Sequence, residues 1–502
     1  MTTLPRSLTP VSAMAHRAAV GSFGWDAVSL ITVYLVLLLA IPSNVTISSM
    51  GSFGRPALLW GLILFAYWAL SRLQWRSVDV APVGQPARVA FLVLLAIALV
   101  SFAAAILRGQ PVDQVSPLIT SILRLVSWAG VLLVIIDGVR TMYGVARLLR
   151  RICIGVTLLA LLGLMQGLTG SSLLEFWGSV PGLTLGEGGT VERLGMTRSA
   201  GTATHPLEFS TVINATIPLC IAAALSRGFR WRLAKRAGLW WWVATALLVL
   251  VALTGVSRSA IIGFVVAVVA MIPAVPSRYR LPVIGGGVVV TAALVAAVPG
   301  LAGSTLGLFT GIAEDGSTLS RTGALDRLPG FVSASPLFGV GFGVFLPRYY
   351  IFDNQWAQLA IDLGVLGVLA FGAMLAAAIW SAWYARHHSA APDVQLIGHA
   401  LAASVLTASV VFAFFDGLAF PISAGFLFVL VGLCAAVRTA AVAESSDFGG
   451  AAVWTPTVVG TTTLVKSTEP VVSRDGPIFK MPSWPAADAR PQAAEGAVRE
   501  PR

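Results

Sequence analysis

Apolar residues in this chain are grouped in long runs that short polar connections separate. A window of about 19 residues, the length that crosses a bilayer as a helix, finds twelve runs. Their approximate bounds are 26–43, 56–71, 88–107, 118–136, 152–168, 206–226, 239–255, 259–275, 282–302, 355–384, 396–415 and 418–437. None shows the alternation of about ten residues that marks a membrane β-strand. The pattern predicts an all-α integral membrane protein, a polytopic bundle of about 12 transmembrane helices.

The composition supports this class. Of the 502 residues, 57% are hydrophobic and 11% are charged, whereas about 25% of the residues of soluble domains are charged. The first apolar run follows a polar stretch and precedes many others, so it is interpreted as a retained crossing and not as a cleaved signal. The three cysteines fall inside apolar runs, and no Cys/His spacing suits zinc. We expect no metal site and no cofactor.

Basic residues in the short connections predict the topology. They concentrate in the even-numbered connections, which are therefore expected to face the cytoplasm together with both termini. These basic residues are Arg72, Arg76, Arg88, Arg140, Arg147, Arg150, Arg151, the five within 227–238, Arg278 and Arg280. The net charge of +11 then needs no nucleic acid partner and favours anionic membrane lipids at the inner face.

The topology divides the chain into three parts. Residues 1–25 form a cytoplasmic N-terminal segment, 26–437 a transmembrane catalytic domain and 438–502 a disordered cytoplasmic tail, because the tail lacks helical or strand periodicity. The domain has two long outer loops, 169–205 and 303–354, and long loops on a bundle commonly carry function.

Ionisable residues accumulate on the predicted outer side, where the charge pattern predicts few basic residues. They are Arg198, His205, Arg258, Arg321, Arg348 and Asp353, which is followed by Asn354. Each of these residues, taken alone, is explained as a side chain near a helix end whose charged group extends to the membrane–water interface. Together they favour a functional site, since charged groups at the edge of a membrane are costly to maintain.

The residue types suggest a chemistry for this site. Arginine presents a planar fork of donors that pairs with two phosphate oxygens at once. A carboxylate does not bind the same anion, so Asp353 is expected to face the other reactant and to accept the proton of an attacking hydroxyl. The set predicts group transfer from a diphosphate-linked lipid donor.

Four motifs carry a resemblance to a known superfamily. They are Arg198, Gly201, Thr202, His205 and Pro206 before a middle crossing, the pair Ser257–Arg258, the run "SRTGALDRLPGFVSASPLFGVGFGVF" (320–345), and Asp353–Asn354 followed after nine residues by Gly364-x-x-Gly367. Over roughly 120–437, these features resemble the O-antigen ligase and O-antigen polymerase superfamily. Asp353 stands where the ligase signature has His.

The resemblance implies transfer of a glycan from an undecaprenyl-diphosphate-linked donor to a glycan or lipid acceptor, at the outer face of the cytoplasmic membrane and without metal. Arg258, Arg321 and Asp353 would be the catalytic residues, and Arg198, His205, Arg348 and Asn354 would bind substrate. Because Asp replaces His, ligase and polymerase activities both remain open. Pro329 is expected to interrupt the short helix after Arg321.

Two other functions remain as alternatives. A secondary transporter of a lipid or small polyol would show internal repeats and charges near mid-membrane, and neither is evident here. A non-catalytic scaffold would leave the charged cluster without a role. "GVGFG" (339–343) is interpreted as a flexible turn and not as a nucleotide loop, since no strand and no Lys-Ser/Thr pair accompany it. Asp362 is interpreted as a buried structural partner, with Arg124 as a candidate contact.

Overall fold

The computed structural model describes residues 26–73, 84–193, 196–229, 237–255, 257–275, 277–297 and 316–451. The described ranges contain fourteen α-helices: α1 (Ala27–Ala40), α2 (Pro56–Leu73), α3 (Pro86–Arg108), α4 (Val112–Gly138), α5 (Met142–Thr169), α6 (Pro206–Leu225), α7 (Ala237–Thr254), α8 (Arg258–Met271), α9 (Ser277–Ala297), α10 (Gly316–Val332), α11 (Gln355–Asp362), α12 (Gly364–His388), α13 (Pro392–Val411) and α14 (Pro421–Ala451). Short 3-10 helices span Ser48–Phe53, Glu175–Ser179 and Ile272–Ala274.

Each predicted apolar run contains a helix, and α11 with α12 covers the run 355–384. Eight helices, α2 to α6 and α12 to α14, are long and apolar enough to cross a membrane, while α1, α7 and α8 are shorter apolar helices. The all-α polytopic class is therefore confirmed, whereas the number of about 12 crossings stays a prediction. Helix starts follow local rules: the Asp26 carboxylate accepts a hydrogen bond from Ser29 N at 2.6 Å, and prolines open α3, α6 and α13.

The helices differ in how deeply they lie in the bundle. In α6 and α14, 89% and 83% of the most apolar window is buried, against 22% in α2. Helix α2, although it lies at the periphery of the bundle, packs closely on α4. A Cβ atom added at Gly130 of α4 would lie only 2.3 Å from the carbonyl oxygen of Gly61 in α2. Small residues at such a contact let two helix backbones approach in a membrane.

The connections meet at two ends of the bundle. At one end, Arg72 and Arg88 both form ion pairs with Asp137 in the last turn of α4, and Arg150 donates to the Gly228 carbonyl at 3.4 Å. These contacts join connections that the charge pattern assigns to the inner side. Which end faces the cytoplasm stays a prediction.

The opposite end is held by short strands. Strand β1 (Val45–Ile47) pairs antiparallel with β2 (Leu183–Leu185), in the register Val45↔Leu185. Strand β3 (Val191–Arg193) pairs antiparallel with β4 (Met196–Arg198). The strands belong to the first connection and to the long loop 169–205, both assigned to the outer side.

Three details differ from the sequence-based expectations. Helix α10 passes through Pro329 to Val332, because a proline near the last turn of a helix removes few of its hydrogen bonds. The loop 303–354 therefore contains a helix over its middle. The last helix continues beyond residue 437 to Ala451, and its extension begins with the alanine-rich stretch 438–444 ("RTAAVAE") of high helix propensity. The predicted segments 1–25 and 452–502 lie outside the described residues.

Candidate active site

The candidate site is built around the connection between α13 and α14, residues 412–420 ("FAFFDGLAF"). This connection contacts the segment that opens α11, the start of α6 and a side chain of α4. Four elements that are far apart in sequence thus meet at the end of the bundle that the topology assigns to the outer side.

Three hydrogen bonds tie the Asp353 segment to this connection. Asn354 N donates to Asp416 Oδ1 at 3.1 Å, Gln355 N donates to the Phe412 carbonyl at 2.9 Å, and Leu418 N donates to Gln355 Oε1 at 2.6 Å. Asp353 itself has φ of 48°, a left-handed conformation that is rare outside glycine. Strained backbone of this kind persists where neighbouring contacts fix it, and it clusters at functional sites.

Asp416 is the second carboxylate of the site. Burial and, to a smaller extent, the nearby charge of Asp353 raise the pKa of Asp416 to about 6, against the opposing effect of the hydrogen bond from Asn354 N. A half-buried acid with a shifted pKa and a specific charged neighbour is typical of active sites. Sequence reasoning missed Asp416. The available signal was an acidic residue between two apolar runs, on the side that carries the other candidate residues.

Asn354 has a structural role at the start of α11. Its Oδ1 accepts hydrogen bonds from Trp356 N at 3.0 Å and Ala357 N at 3.3 Å, the arrangement of an N-cap. The amide oxygen is therefore engaged within the protein. The predicted contact between Asn354 and substrate would use the amide nitrogen, and it stays a prediction.

Asp362, at the end of α11, binds the glycine-rich turn. Its carboxylate accepts hydrogen bonds from Gly343 N at 3.0 Å and Phe345 N at 3.4 Å. Gly343 has φ of 77°, and a Cβ there would lie 2.0 Å from Ser121 Oγ, so glycine is required by both conformation and space. The "GVGFG" turn is thus packed and hydrogen-bonded, in contrast to the flexible turn that the sequence suggested.

A second group of predicted residues lies around the starts of α6 and α8. Arg198 is buried, and its Nε donates to the Gly255 carbonyl at 3.1 Å. Arg258 is the first residue of α8, three positions after Gly255. The structure therefore brings β4 against the turn that carries Arg258.

His205 forms the N-cap of α6, where its Nδ1 accepts a hydrogen bond from Leu207 N at 3.2 Å. Burial and, to a smaller extent, the charge of Arg198 lower the pKa of His205 to about 4. His205 is consequently neutral at pH 7, and its remaining nitrogen, Nε2, is the one that carries hydrogen. The ring lies 5.9 Å from the ring of Phe420, which places His205 beside the 412–420 connection.

Glu208 fixes the start of α14 against α6. Its Oε1 accepts a hydrogen bond from Ile422 N at 2.6 Å and its Oε2 accepts one from Thr204 N at 2.9 Å. A carboxylate at the positive end of a helix dipole is favourable. Glu208 therefore joins the His205 group to the element that follows Asp416.

The last two predicted residues differ in position. Arg348 is exposed and forms an ion pair with Asp113, with its guanidinium 4.8 Å from the Tyr349 ring, so it lies at the edge of the site. Arg321 lies on α10, but its side chain is outside the described part of the structure. Ala324 of the same helix packs with Phe352, which places α10 beside Asp353. Among the described residues, no group of three or more His, Cys, Asp or Glu side chains is arranged to hold a metal ion.

Comparison with known families gives one match. Residues 243–372 match the family model described as O-Antigen ligase, about a quarter of the chain. A comparison with curated proteins found no match. The matched segment runs from α7 into α12 and supports a membrane enzyme that transfers glycans. The resemblance to the O-antigen ligase superfamily that the motifs predicted is therefore confirmed for the segment that contains Arg258, Arg321 and Asp353.

Proposed function

We propose that this protein transfers a glycan from an undecaprenyl-diphosphate-linked donor to an acceptor hydroxyl at the outer face of the cytoplasmic membrane. The observation that carries the proposal is the family match over 243–372, which includes all three predicted catalytic residues. The pairing of Asp353 with Asp416 adds support, because it gives the site a proton acceptor. The charged groups of the site lie at connections and helix ends, which does not favour the transporter alternative.

The reaction assigns a role to each group. The acceptor oxygen forms a bond to the anomeric carbon of the donor glycan, and the bond from that carbon to the diphosphate oxygen breaks. The hydroxyl proton passes to the carboxylate of Asp353. The lipid diphosphate leaves with the electron pair, and Arg258 and Arg321 stabilise its developing charge by bidentate hydrogen bonds.

Asp416 supports Asp353 in two ways. Its hydrogen bond to Asn354 N fixes the backbone beside Asp353, which orients the reacting carboxylate. The negative charges of Asp416 and Asp353 repel each other. Two neighbouring carboxylates therefore take up one proton more readily than a single carboxylate does. The pair is thus suited to receive the proton that the acceptor hydroxyl releases.

The experiment uses purified full-length protein in lipid with a lipid-linked glycan donor, and it scores donor binding and product separately. Asp353→Asn should lower turnover by about two to four powers of ten, the usual effect of losing a general base, and should leave donor binding unchanged. Arg258→Lys and Arg321→Lys keep a charge but lose the planar fork, so both should weaken donor binding or release of the diphosphate.

The matched control is Glu175→Gln, which removes an exposed carboxylate in the loop 169–205, outside the four motifs, and should leave turnover unchanged. Because arginines neutralise the diphosphate in this mechanism, transfer should continue in the presence of a chelator. Normal product formation by Asp353→Asn would remove the general base from the mechanism. A strict requirement for added divalent metal would contradict the role of the arginines.

A further inference from the structure

An exposed apolar surface lies in the loop 169–205, immediately after α5. Its exposed apolar side chains are Leu173, Phe176 and Val180. The ring of Phe176 lies 5.4 Å from the ring of Trp177, which is half-buried. Between residues 170 and 186 the chain has a single charged residue, Glu175. Apolar side chains that are exposed so close together mark a surface that contacts a partner or a membrane.

The structure around this segment, Leu173–Val180, holds its backbone in place. The 3-10 helix Glu175–Ser179 packs on β2, and Leu183 N at the start of β2 donates to the Val180 carbonyl at 3.2 Å. Strand β2 is itself paired with β1 of the first connection. Phe176 and Val180 therefore remain exposed although their backbone is fixed, and the described part of the chain leaves both side chains uncovered.

Gln166, in the last turn of α5, joins the start of the segment to the turn that leads to α6. Its Nε2 donates to the Ser172 carbonyl at 2.6 Å and to the Gly201 carbonyl at 2.9 Å. Its Oε1 accepts a hydrogen bond from Gly201 N at 2.7 Å. Gln166 is buried, and a buried amide that is hydrogen-bonded at both ends holds its neighbours rigidly. The position of the segment is thus coupled to that of His205.

The length of α5 sets the depth of the segment in the membrane. Arg151 is the last charged residue of this helix, and the 18 residues that follow it to Thr169 are uncharged. These residues rise about 27 Å along the helix axis, close to the hydrocarbon thickness of about 30 Å. With Arg151 at one membrane surface, Thr169 lies at the other. The segment then begins at the level of the head groups, where tryptophan is enriched.

The lipid-facing surface of α5 is continuous with the segment. The exposed apolar residues of the second half of α5 are Leu158, Leu161, Met165 and Leu168. Their spacings of three and four residues place them on one face of the helix. Because α5 is long and apolar enough to cross a membrane, this face contacts acyl chains. Leu168 is 74% exposed and lies five residues before Leu173, so the bilayer that covers α5 reaches the segment without a break.

We propose that the Leu173–Val180 segment inserts Leu173, Phe176 and Val180 into the head-group region of the leaflet at the candidate-site end of the bundle. The partner of this surface is therefore the lipid bilayer. Since Gln166 couples the segment to Gly201, the contact fixes the height of His205 above the bilayer. This contact does not depend on which reaction the site performs.

The test measures the depth of single positions in the membrane. Full-length protein with one introduced cysteine carries a nitroxide spin label, in vesicles of phosphatidylethanolamine and phosphatidylglycerol. The three native cysteines are buried, and wild type treated with the same reagent gives their background. The collision rate of the label with oxygen, which concentrates in the bilayer, is divided by its collision rate with a water-soluble nickel chelate.

This ratio should be several-fold higher at Phe176→Cys and Val180→Cys than at Glu187→Cys, an exposed position of the same loop. It should be lower than at Leu158→Cys, which faces the acyl chains. The order follows because oxygen becomes more concentrated, and the chelate less, with depth in the bilayer. Equal ratios at Phe176→Cys and Glu187→Cys would overturn the proposal, since both positions would then lie in water.

A charge placed in the segment tests whether Phe176 makes the contact. Phe176→Asp should lower the ratio of the label at Val180→Cys to that of Glu187→Cys, because moving a charge out of water is costly. The matched variant Phe176→Leu keeps an apolar side chain and should leave the ratio unchanged. The label at Leu158→Cys reports that the bundle is folded in both variants. If Phe176→Asp leaves the ratio at Val180→Cys unchanged, Phe176 does not insert.

The same label distinguishes the bilayer from a second copy of the chain. Labels at Phe176→Cys should show no dipolar broadening, and dilution with unlabelled protein should leave both the spectrum and the oxygen-to-nickel ratio unchanged. Broadening that disappears on dilution would show that another copy covers the segment, and it would overturn the assignment to lipid.

Discussion

Replacing Asp416 by Asn should stabilise the protein and impair its activity. The Asn side chain keeps an oxygen that can accept the hydrogen bond from Asn354 N, now made to Asp416 Oδ1 at 3.1 Å. It removes a charge that burial and Asp353 both oppose. A residue whose charge lowers stability but serves the reaction is expected to gain stability and lose activity when that charge is removed.

The magnitude follows from the pKa of Asp416, which is raised from 3.8 to about 6. Because the folded-state pKa lies above the ordinary value, the stabilising contribution of the protonated acid is present below about pH 4 and is lost as pH rises through about 6. A tenfold change in proton affinity corresponds to about 1.4 kcal/mol. The ionised carboxylate thus costs roughly 3 kcal/mol at pH 7.5 and about 0.5 kcal/mol at pH 4.

The assay measures the free energy of unfolding of wild type and of Asp416→Asn in the same detergent or lipid, at pH 7.5 and near pH 4. The difference between the two proteins is taken at each pH, so that the contributions of other titrating groups cancel. The variant should be more stable by up to about 3 kcal/mol at pH 7.5 and nearly equal to wild type near pH 4. Turnover at pH 7.5 should fall at least tenfold, by loss of a group that assists proton transfer.

A double-mutant cycle isolates the interaction between the two acids. Asp353→Asn should also relieve the repulsion, so the gains of Asp353→Asn and Asp416→Asn should be less than additive in the double variant. The exposed Asp326→Asn serves as the control and should change stability by less than about 0.5 kcal/mol. A loss of stability in Asp416→Asn at pH 7.5, or a gain that persists unchanged near pH 4, would show that the charge of Asp416 is not strained as described.

Two further predictions concern topology and packing. The three native cysteines are buried, so single cysteines introduced at the exposed positions Glu187 and Ala390 can report which side of the membrane each position faces. In intact spheroplasts, an impermeant thiol reagent should label Glu187→Cys but not Ala390→Cys. The reverse labelling pattern would invert the predicted topology. Gly364 has φ of 69°, and a Cβ there would lie 2.4 Å from the Leu337 carbonyl carbon. Gly364→Ala should therefore lower the free energy of unfolding by about 2 kcal/mol or more. Gly372→Ala should have little effect, because a Cβ atom at that position would have no atom nearer than 3.7 Å. Similar thermal unfolding midpoints for the two variants would contradict the close packing of the α11–α12 junction.

Much of the fold was predictable because its main constraint is local. A helix that crosses a bilayer must satisfy its backbone internally and present about 20 apolar residues in sequence, so runs of apolar residues locate the helices. The excess of basic residues in alternate connections is equally local. It assigns the first connection and the loop 169–205 to the same side, and the pairing of β1 with β2 joins these two connections in the structure. The apolar pattern did not locate helix α10, since its sequence lacks a continuous apolar run; a short helix after Arg321 was implied by the family resemblance alone.

The candidate site was predictable in part. Motif matches predicted Arg258, Arg321 and Asp353 as catalytic residues. All three fall within the segment that matches the O-antigen ligase family model, and their roles stay predictions. The same reasoning treated His205 and Asn354 as substrate-binding residues, which stays a prediction; the structure adds that their side chains cap α6 and α11. A polar residue immediately before an apolar run has the same appearance in sequence whether it binds a ligand or begins a helix.

The sequence by itself therefore determined the membrane class, the positions of most helices and the family segment. Only the tertiary structure decided which charged groups meet. Asp416 lies 62 residues from Asn354 along the chain and yet accepts its backbone hydrogen bond, and Arg124 donates to the carbonyl of Ala419, 295 residues further along the chain. Such contacts are not encoded by periodicity or spacing along the chain. They depend on how helices pack against one another and on which charged groups that packing brings together, with or without a neutralising partner.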